Sequence, residues 1–208
     1  LMYAIGFIAG YQIIRSHRVF SQKELDDLLF LVFLGVILGG RFGYVLFYNW
    51  SYFSTHLTEI FMPWLGGMSF HGGVIGVILA LVYFSSTRQR SLYFVADEVT
   101  LILPIGLGAG RIGNYLNTEL VGYAPYSGPF AMIREGVAHF PTPLLEASLE
   151  GVILGIILYL SYRSRRFIGQ IASSFLIGYG VARLIAELTR LPDPQIGYLF
   201  STDWITMG

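Results

Sequence analysis

Residues 28–48 read LLFLVFLGVILGGRFGYVLFY, an unbroken apolar run that carries a single charge, Arg41. Its length is close to the ~20 residues that an α-helix needs to cross the hydrocarbon core of a bilayer. Working outward, runs of the same kind occupy about 1–14, 68–84, 92–113, 146–162 and 168–190. The pattern predicts an all-α polytopic membrane protein with about six membrane helices. Composition agrees: 54% of residues are hydrophobic and only 12% charged, with a mean hydropathy of +0.62. A soluble domain carries about twice that charge. Zero cysteines exclude disulfides, thiolate metal sites and a covalent intermediate on a thiol of this chain. No cleavable signal peptide is visible, and both ends read as truncated.

The polar connections sort the charge by side. Arg15, Arg18 and Lys23, then Arg88 and Arg90, then Arg163, Arg165 and Arg166 fall in alternate loops. The positive-inside rule therefore predicts that 15–27, 85–91 and 163–167 are cytoplasmic. The other connections, about 49–67, 114–145 and 191–203, are then outward. The whole of 1–208 is expected to form one integral membrane domain with two outward insertions. Within 49–67 the aromatics Trp50, Tyr52, Phe53, Phe61 and Trp64 suggest an interfacial arm. Within 114–145 lie Pro125, Pro129, Pro141 and Pro143 with Gly122, Gly128 and Gly136, which predicts a small irregular head. No internal repeat is evident.

Arg41, Arg111 and Arg183 all sit inside apolar runs. A guanidinium at membrane depth is costly, so such a residue usually faces an interior cavity and has a function. Arg41 lies among Gly35, Gly39 and Gly43, whose four-residue spacing suits close helix packing; a structural donor and a substrate contact both remain open for it. Arg111, Asn114 and Asn117 (or Thr118) recur at helical spacing, and Glu119 follows, so one face could present several polar groups. Tyr179, Arg183, Glu187 and Arg190 form a second such stripe, in which Arg183 and Glu187 can pair at i, i+4. Both stripes suit an anion held in an apolar shell. His71, in Ser69-Phe70-His71-Gly72-Gly73, is the candidate for proton transfer at the start of the third helix. His17, His56 and His139 fall in expected loops and take no role.

Several chemistries are disfavoured. Gly108-Ala109-Gly110-Arg111-Ile112-Gly113 matches G-x-G-x-x-G, but a dinucleotide fingerprint follows a strand and here an apolar helix precedes it. No HExxH, Gly-x-Ser-x-Gly or P-loop spacing occurs, so metal, serine-hydrolase and nucleotide chemistry are not expected, and neither is a nucleic-acid partner. The reading of another class is a small transporter or lipid-binding scaffold that uses buried arginines to hold an anion. Inverted repeats and paired broken helices, frequent in transporters, are not evident.

The clusters together resemble the prolipoprotein diacylglyceryl transferase family. The matching stretches are Leu1–Gly10, Gly39–Tyr44, Met68–Gly73, Glu146–Gly151, Tyr179–Asp193 and Gly110–Gly122, the last with the pattern G-R-x-G-N-x-x-N-x-E-x-x-G. They span nearly the whole chain in order. The family's frequent His-Pro-x-Gln-Leu-Tyr-Glu reads here Phe140-Pro141-Thr142-Pro143-Leu144-Leu145-Glu146. The resemblance implies a further membrane helix beyond Gly208 and a functional tyrosine ahead of Leu1. It implies an enzyme of the bacterial inner membrane, with head and site toward the outer face. The reaction implied moves the diacylglyceryl group of phosphatidylglycerol to the lipobox cysteine of a prolipoprotein signal peptide, without metal or soluble cofactor. In that reading His71, Arg111 and Arg183 are catalytic. Arg41, Asn114, Asn117, Glu119, Gly122, Tyr179, Glu187 and Arg190 bind substrate, and Tyr179 or Glu187 are alternatives to His71 as base.

Overall fold

The structure, a computed structural model, describes residues 2–191. The expected outer loop beyond Leu191, with Pro192 and Asp193, lies outside the described residues. The chain is mostly helical. It divides into two compact units, one of residues 14–96 and one of the described parts of 1–13 and 97–208.

In the first unit α2 (Gln22–Phe47) pairs with α4 (Phe70–Thr87), after α1 (Met2–His17), which it shares with the second unit. α2 begins six residues before the apolar run. The Ser21 hydroxyl accepts the Glu24 N–H at 3.3 Å, and the Glu24 carboxylate accepts the Ser21 N–H at 2.9 Å. This reciprocal cap offsets the polar first turn, which hydropathy alone assigns to a loop. The pair is antiparallel: Gly43 lies against Gly72 at one end, and Arg90 reaches Glu24 at 3.1 Å at the other. The backbones touch along the glycine stripe. A Cβ on Gly39 would stand 2.9 Å from the Gly76 Cα, and one on Gly43 would stand 2.7 Å from the Gly72 Cα.

Gly39→Val is therefore expected to force the helices apart and destabilise the protein by about 1–3 kcal/mol or more. Gly180→Ala is the contrast, since a Cβ there meets nothing within 4 Å. Thermal unfolding in detergent checks both; equal melting temperatures would contradict the packing.

After α2 the chain forms α3 (Trp50–Phe53) and two 3₁₀ turns, Leu57–Phe61 and Pro63–Leu65.

In the second unit α5 (Leu92–Leu116) runs without a break through Gly108–Gly113. Among the described residues no strand precedes that glycine cluster; a helix runs through it instead. A continuous helix follows over Thr142–Arg163. It consists of α6 (Thr142–Glu146), a π-helical stretch over Ala147–Ile153, and α7 (Leu154–Arg163). α8 (Gln170–Glu187) completes the unit. Gly151 packs on Gly108, where a Cβ would meet the Gly108 Cα at 2.8 Å. Leu154, Leu158 and Ile171 form a buried core with Leu101, Phe175 and Tyr179 around it. Asp97, fully buried, caps α8 from another helix: its carboxylate accepts the Gly169 N–H at 2.7 Å and the Ala172 N–H at 2.8 Å. Arg165 pairs with the same carboxylate at 3.1 Å.

The segment between α5 and α6 is less irregular than expected. β1 (Met132–Arg134) and β2 (Val137–His139) pair antiparallel around Glu135-Gly136. Both turn residues have positive φ, 54° and 77°, as a two-residue hairpin turn of type I′ requires. This segment is tied to the end of α8 through the Tyr123 N–H, which donates to the Thr189 carbonyl at 3.1 Å.

Gln22–Phe47, Phe70–Thr87, Leu92–Leu116 and Thr142–Arg163 are long and apolar enough to cross a membrane. Their outer faces, and that of α8, are apolar: Phe47, Leu176 and Ile177 each leave 69–71% of their surface uncovered. In water such an apolar girdle would aggregate; in lipid it is solvated. The chain is a polytopic membrane protein.

Candidate active site

The second unit gathers charged side chains from three helices. Arg111 on α5 donates through Nε to Glu150 Oε2 at 3.1 Å, and its Nη1 lies 3.2 Å from Glu146 Oε2. Arg183 on α8 donates through Nη1 to the other oxygen of Glu146 at 2.5 Å. Its Nη2 lies 2.8 Å from Glu187 Oε2, the i, i+4 pair expected from spacing. One carboxylate thus grips both guanidinium groups, an oxygen to each. Glu146 and Glu150 are fully buried and Glu187 is 6% exposed, whereas the Arg111 and Arg183 side chains keep 16% and 19%. The carboxylates take the inner edges of the guanidiniums, and part of the outer surface stays open. Arg190 feels the charges of Arg183, Glu146 and Glu187. With all six ionised, the cluster balances to zero.

Burying such a network is tolerable only because each charge has an opposite neighbour. Glu146 and Glu150 were not singled out as site residues from sequence. The available signal was two carboxylates four residues apart within an apolar run, which need buried cations as partners. The helix carrying them is π-helical over Ala147–Ile153, a rare geometry found disproportionately at functional sites.

Beside the network lies an apolar groove of about 760 Å³, lined among others by Gly108, Ile112, Phe130, Leu145 and Gly151. Gly108 and Ile112 flank Arg111 along α5, and Gly151 follows Glu150.

Asn114, Asn117 and Glu119 form a separate group. The Asn114 side-chain amide donates to Glu119 Oε2 at 2.8 Å and that of Asn117 to Oε1 at 3.4 Å. The expected helical face reaches Asn114 but not Asn117, because α5 stops at Leu116 and Thr118 turns the chain with φ 56°. Asn117 and Glu119 leave the axis and close on Asn114.

Gly122 is held by backbone. Its N–H donates to the Phe140 carbonyl at 2.9 Å, its carbonyl meets His139 Nδ1 at 2.9 Å, and it bridges to Arg190 as an antiparallel partner. A Cβ here would stand 2.6 Å from the Thr189 carbonyl oxygen, so no larger residue fits. Arg190 therefore lies past the end of α8, fixed by this bridge rather than by helical spacing. The Tyr179 ring stacks on Phe175, with centroids 5.6 Å apart.

Arg41 and His71 belong to the first unit. Arg41 is buried and committed to backbone: Nε donates to the Ile60 carbonyl at 2.9 Å, Nη1 to those of Gly66 at 2.5 Å and Gly67 at 3.3 Å, and Nη2 to that of Glu59. Its guanidinium also lies over the Phe53 ring, 4.9 Å from the centroid. It pins the segment after α2. His71 stands in the first turn of α4, exposed, with its ring edge-on to Phe70 at 5.7 Å. Ser69 caps that turn by accepting the Gly72 N–H at 3.1 Å.

The family model described as "Prolipoprotein diacylglyceryl transferase" matches residues 1–208. Curated relatives named phosphatidylglycerol–prolipoprotein diacylglyceryl transferase are similar over nearly the full chain. The protein of Aliivibrio salmonicida is 43% identical over 216 residues, which cover 100% of this chain and 75% of the relative. That of Shewanella oneidensis is 43% identical over 99% of this chain and 79% of its own length. That of Pseudomonas paraeruginosa is 43% identical over 100% of this chain and 80% of its own length.

Proposed function

We propose, since the chain belongs to the prolipoprotein diacylglyceryl transferase family, that it transfers the diacylglyceryl group of phosphatidylglycerol to the lipobox cysteine of bacterial prolipoproteins. The observation that carries this reading is the gripping of Arg111 and Arg183, from separate helices, by the single carboxylate of Glu146. Two guanidiniums held in one register suit a phosphate, whose oxygens accept from planar forks.

In the reaction the substrate thiol loses its proton and the sulfur attacks the diacylglyceryl carbon that bears the phosphate. The carbon–oxygen bond breaks, a thioether forms, and glycerol phosphate leaves with the bonding electrons. Charge grows on the phosphate as that bond breaks. Arg111 and Arg183, preorganised in an apolar surround, stabilise it; removing one such donor typically slows an enzyme about 10²–10³-fold. Arg190 adds positive charge to the same locus, and Gly122 positions it. Glu187 and Tyr179 line the Arg183 stripe. Asn114, Asn117 and Glu119 offer donors and acceptors to the headgroup glycerol, and the adjoining groove suits an acyl chain. Arg41 fixes the segment after α2 and is a substrate contact in this reading.

His71 takes the thiol proton as general base. His71→Gln is expected to slow transfer about 10²–10⁴-fold. An unchanged rate of peptide lipidation would remove His71 from the role and turn attention to Tyr179 or Glu187.

The same reading has α1, α2, α4, α5, the Thr142–Arg163 helix and α8 crossing the bacterial inner membrane. The basic loops are cytoplasmic, and the arm, head and site face outward, a placement that the positive-inside rule supports. The test is direct. Protein in phosphatidylglycerol vesicles is incubated with a lipobox peptide, and the peptide is weighed. A diacylglyceryl mass gain is expected. Lipid or solute movement without it would favour a transporter or lipid-binding scaffold.

A further inference from the structure

Glu146 occupies the place between the two guanidiniums where an anionic substrate would draw them together. It is fully buried, gives one oxygen to Arg183 at 2.5 Å and the other to Arg111 at 3.2 Å, and rises from a third helix. We propose that Glu146 is a positioning residue acting as a resident counter-anion: it sets the spacing of the phosphate clamp and limits how tightly the clamp holds anions. This inference rests on the proposed transfer reaction.

The reasoning is electrostatic. Phosphatidylglycerol carries one negative charge at its phosphate, whereas the departing glycerol phosphate carries up to two. A clamp of bare guanidiniums in an apolar surround would bind the product more tightly than the substrate and would be slow to release it. With Glu146 between them, Arg111 and Arg183 meet the phosphate with part of their charge already matched. Glu150 and Glu187 each neutralise one arginine from its own side, but only Glu146 touches both among the described carboxylates. The 16% and 19% exposure left to the arginines is then the surface on which a phosphate docks.

Glu146→Gln keeps the shape and removes the charge, taking the cluster from formal zero to +1. Attraction of a phosphate a few ångströms away rises enough for an affinity gain of about tenfold or more. The experiment measures peptide lipidation in phosphatidylglycerol vesicles while sn-glycerol 1-phosphate is titrated as inhibitor. Glu146→Gln is expected to show an inhibition constant at least about tenfold lower than wild type, with both KM for phosphatidylglycerol and kcat reduced. A residue that only supports the fold would give the opposite split, a raised KM and weaker inhibition. That outcome, or an unchanged inhibition constant, overturns the proposal. Should Glu146→Gln fail to accumulate in the membrane, Glu150→Gln uncharges the same network from the Arg111 side. It is expected to lower the constant about threefold or more; no change or a rise overturns the proposal. Wild-type lipidation is the control on the reaction itself. A wild type that transfers nothing rejects the proposed function. A wild type that works beside a Glu146→Gln enzyme with unaltered inhibition rejects only the role of Glu146.

Discussion

Arg183→Ala is expected to abolish measurable lipidation and, separately, to weaken the fold. Catalytically it removes one of two donors aimed at the leaving phosphate, a loss of about 10²–10³-fold. Structurally it strips a partner from Glu146 and from Glu187, both buried. Breaking a buried pair from one side costs about 3–5 kcal/mol, because the abandoned carboxylate stays in an apolar surround. The two effects separate in the double variant Arg183→Ala, Glu187→Gln. Relieving one orphaned charge should recover part of the melting temperature in detergent while turnover, read by peptide mass, stays lost. Transfer by the single variant within about tenfold of wild type, well short of that loss, would take Arg183 out of the clamp.

Asp97→Ala should weaken the fold to a similar degree while sparing turnover. The side chain is fully buried and accepts the N–H groups of Gly169 and Ala172 at the start of α8 while pairing with Arg165. Removing it takes the acceptor from two amide donors and one of its carboxylate partners from Arg165, which keeps Glu98 at 3.9 Å, a cost of about 3–5 kcal/mol. Asp97 lies fourteen residues before Arg111 on α5, about 21 Å along the axis. Protein that remains folded should therefore lipidate peptide at a near-normal rate. Arg134→Ala, at the exposed pair with Glu135, should change stability by no more than about 1 kcal/mol. If Asp97→Ala melts with wild type, the cap does not hold α8.

Both variants touch what the sequence disclosed unevenly. The helices were legible because apolar runs of near-bilayer length leave a backbone little choice but helix. Arg111 and Arg183 were legible for the converse reason, as costly charges inside such runs. Their partners were not. Glu146 and Glu150 fell at the start of an expected span, and Asp97 within another, where nothing local states which distant cation each will meet. The i, i+4 pair of Arg183 with Glu187 was readable because helix geometry alone sets it.

A helical period misleads where it runs past the end of its helix. Asn117 and Arg190 continue the spacing of Arg111 and Arg183, but α5 ends at Leu116 and α8 at Glu187; Glu119 falls beyond the helix, as its sequence position suggests. The side chains beyond are placed by turns and by the Gly122 bridge. The hairpin was hidden among prolines, and Glu135-Gly136 is a weaker turn signal than Asn-Gly or Asp-Gly. The early start of α2 could have been read from Ser21-Gln22-Lys23-Glu24, whose spacing is that of a capping box.

Whether Arg111 and Arg183 together hold the phosphate of the lipid is tested most directly by a density map of the protein with bound phosphatidylglycerol. The phosphate should lie between the two side chains, with oxygens about 2.7–2.9 Å from a nitrogen of each guanidinium. A phosphate seated away from both, with Glu146 still joining an unoccupied pair, would contradict it.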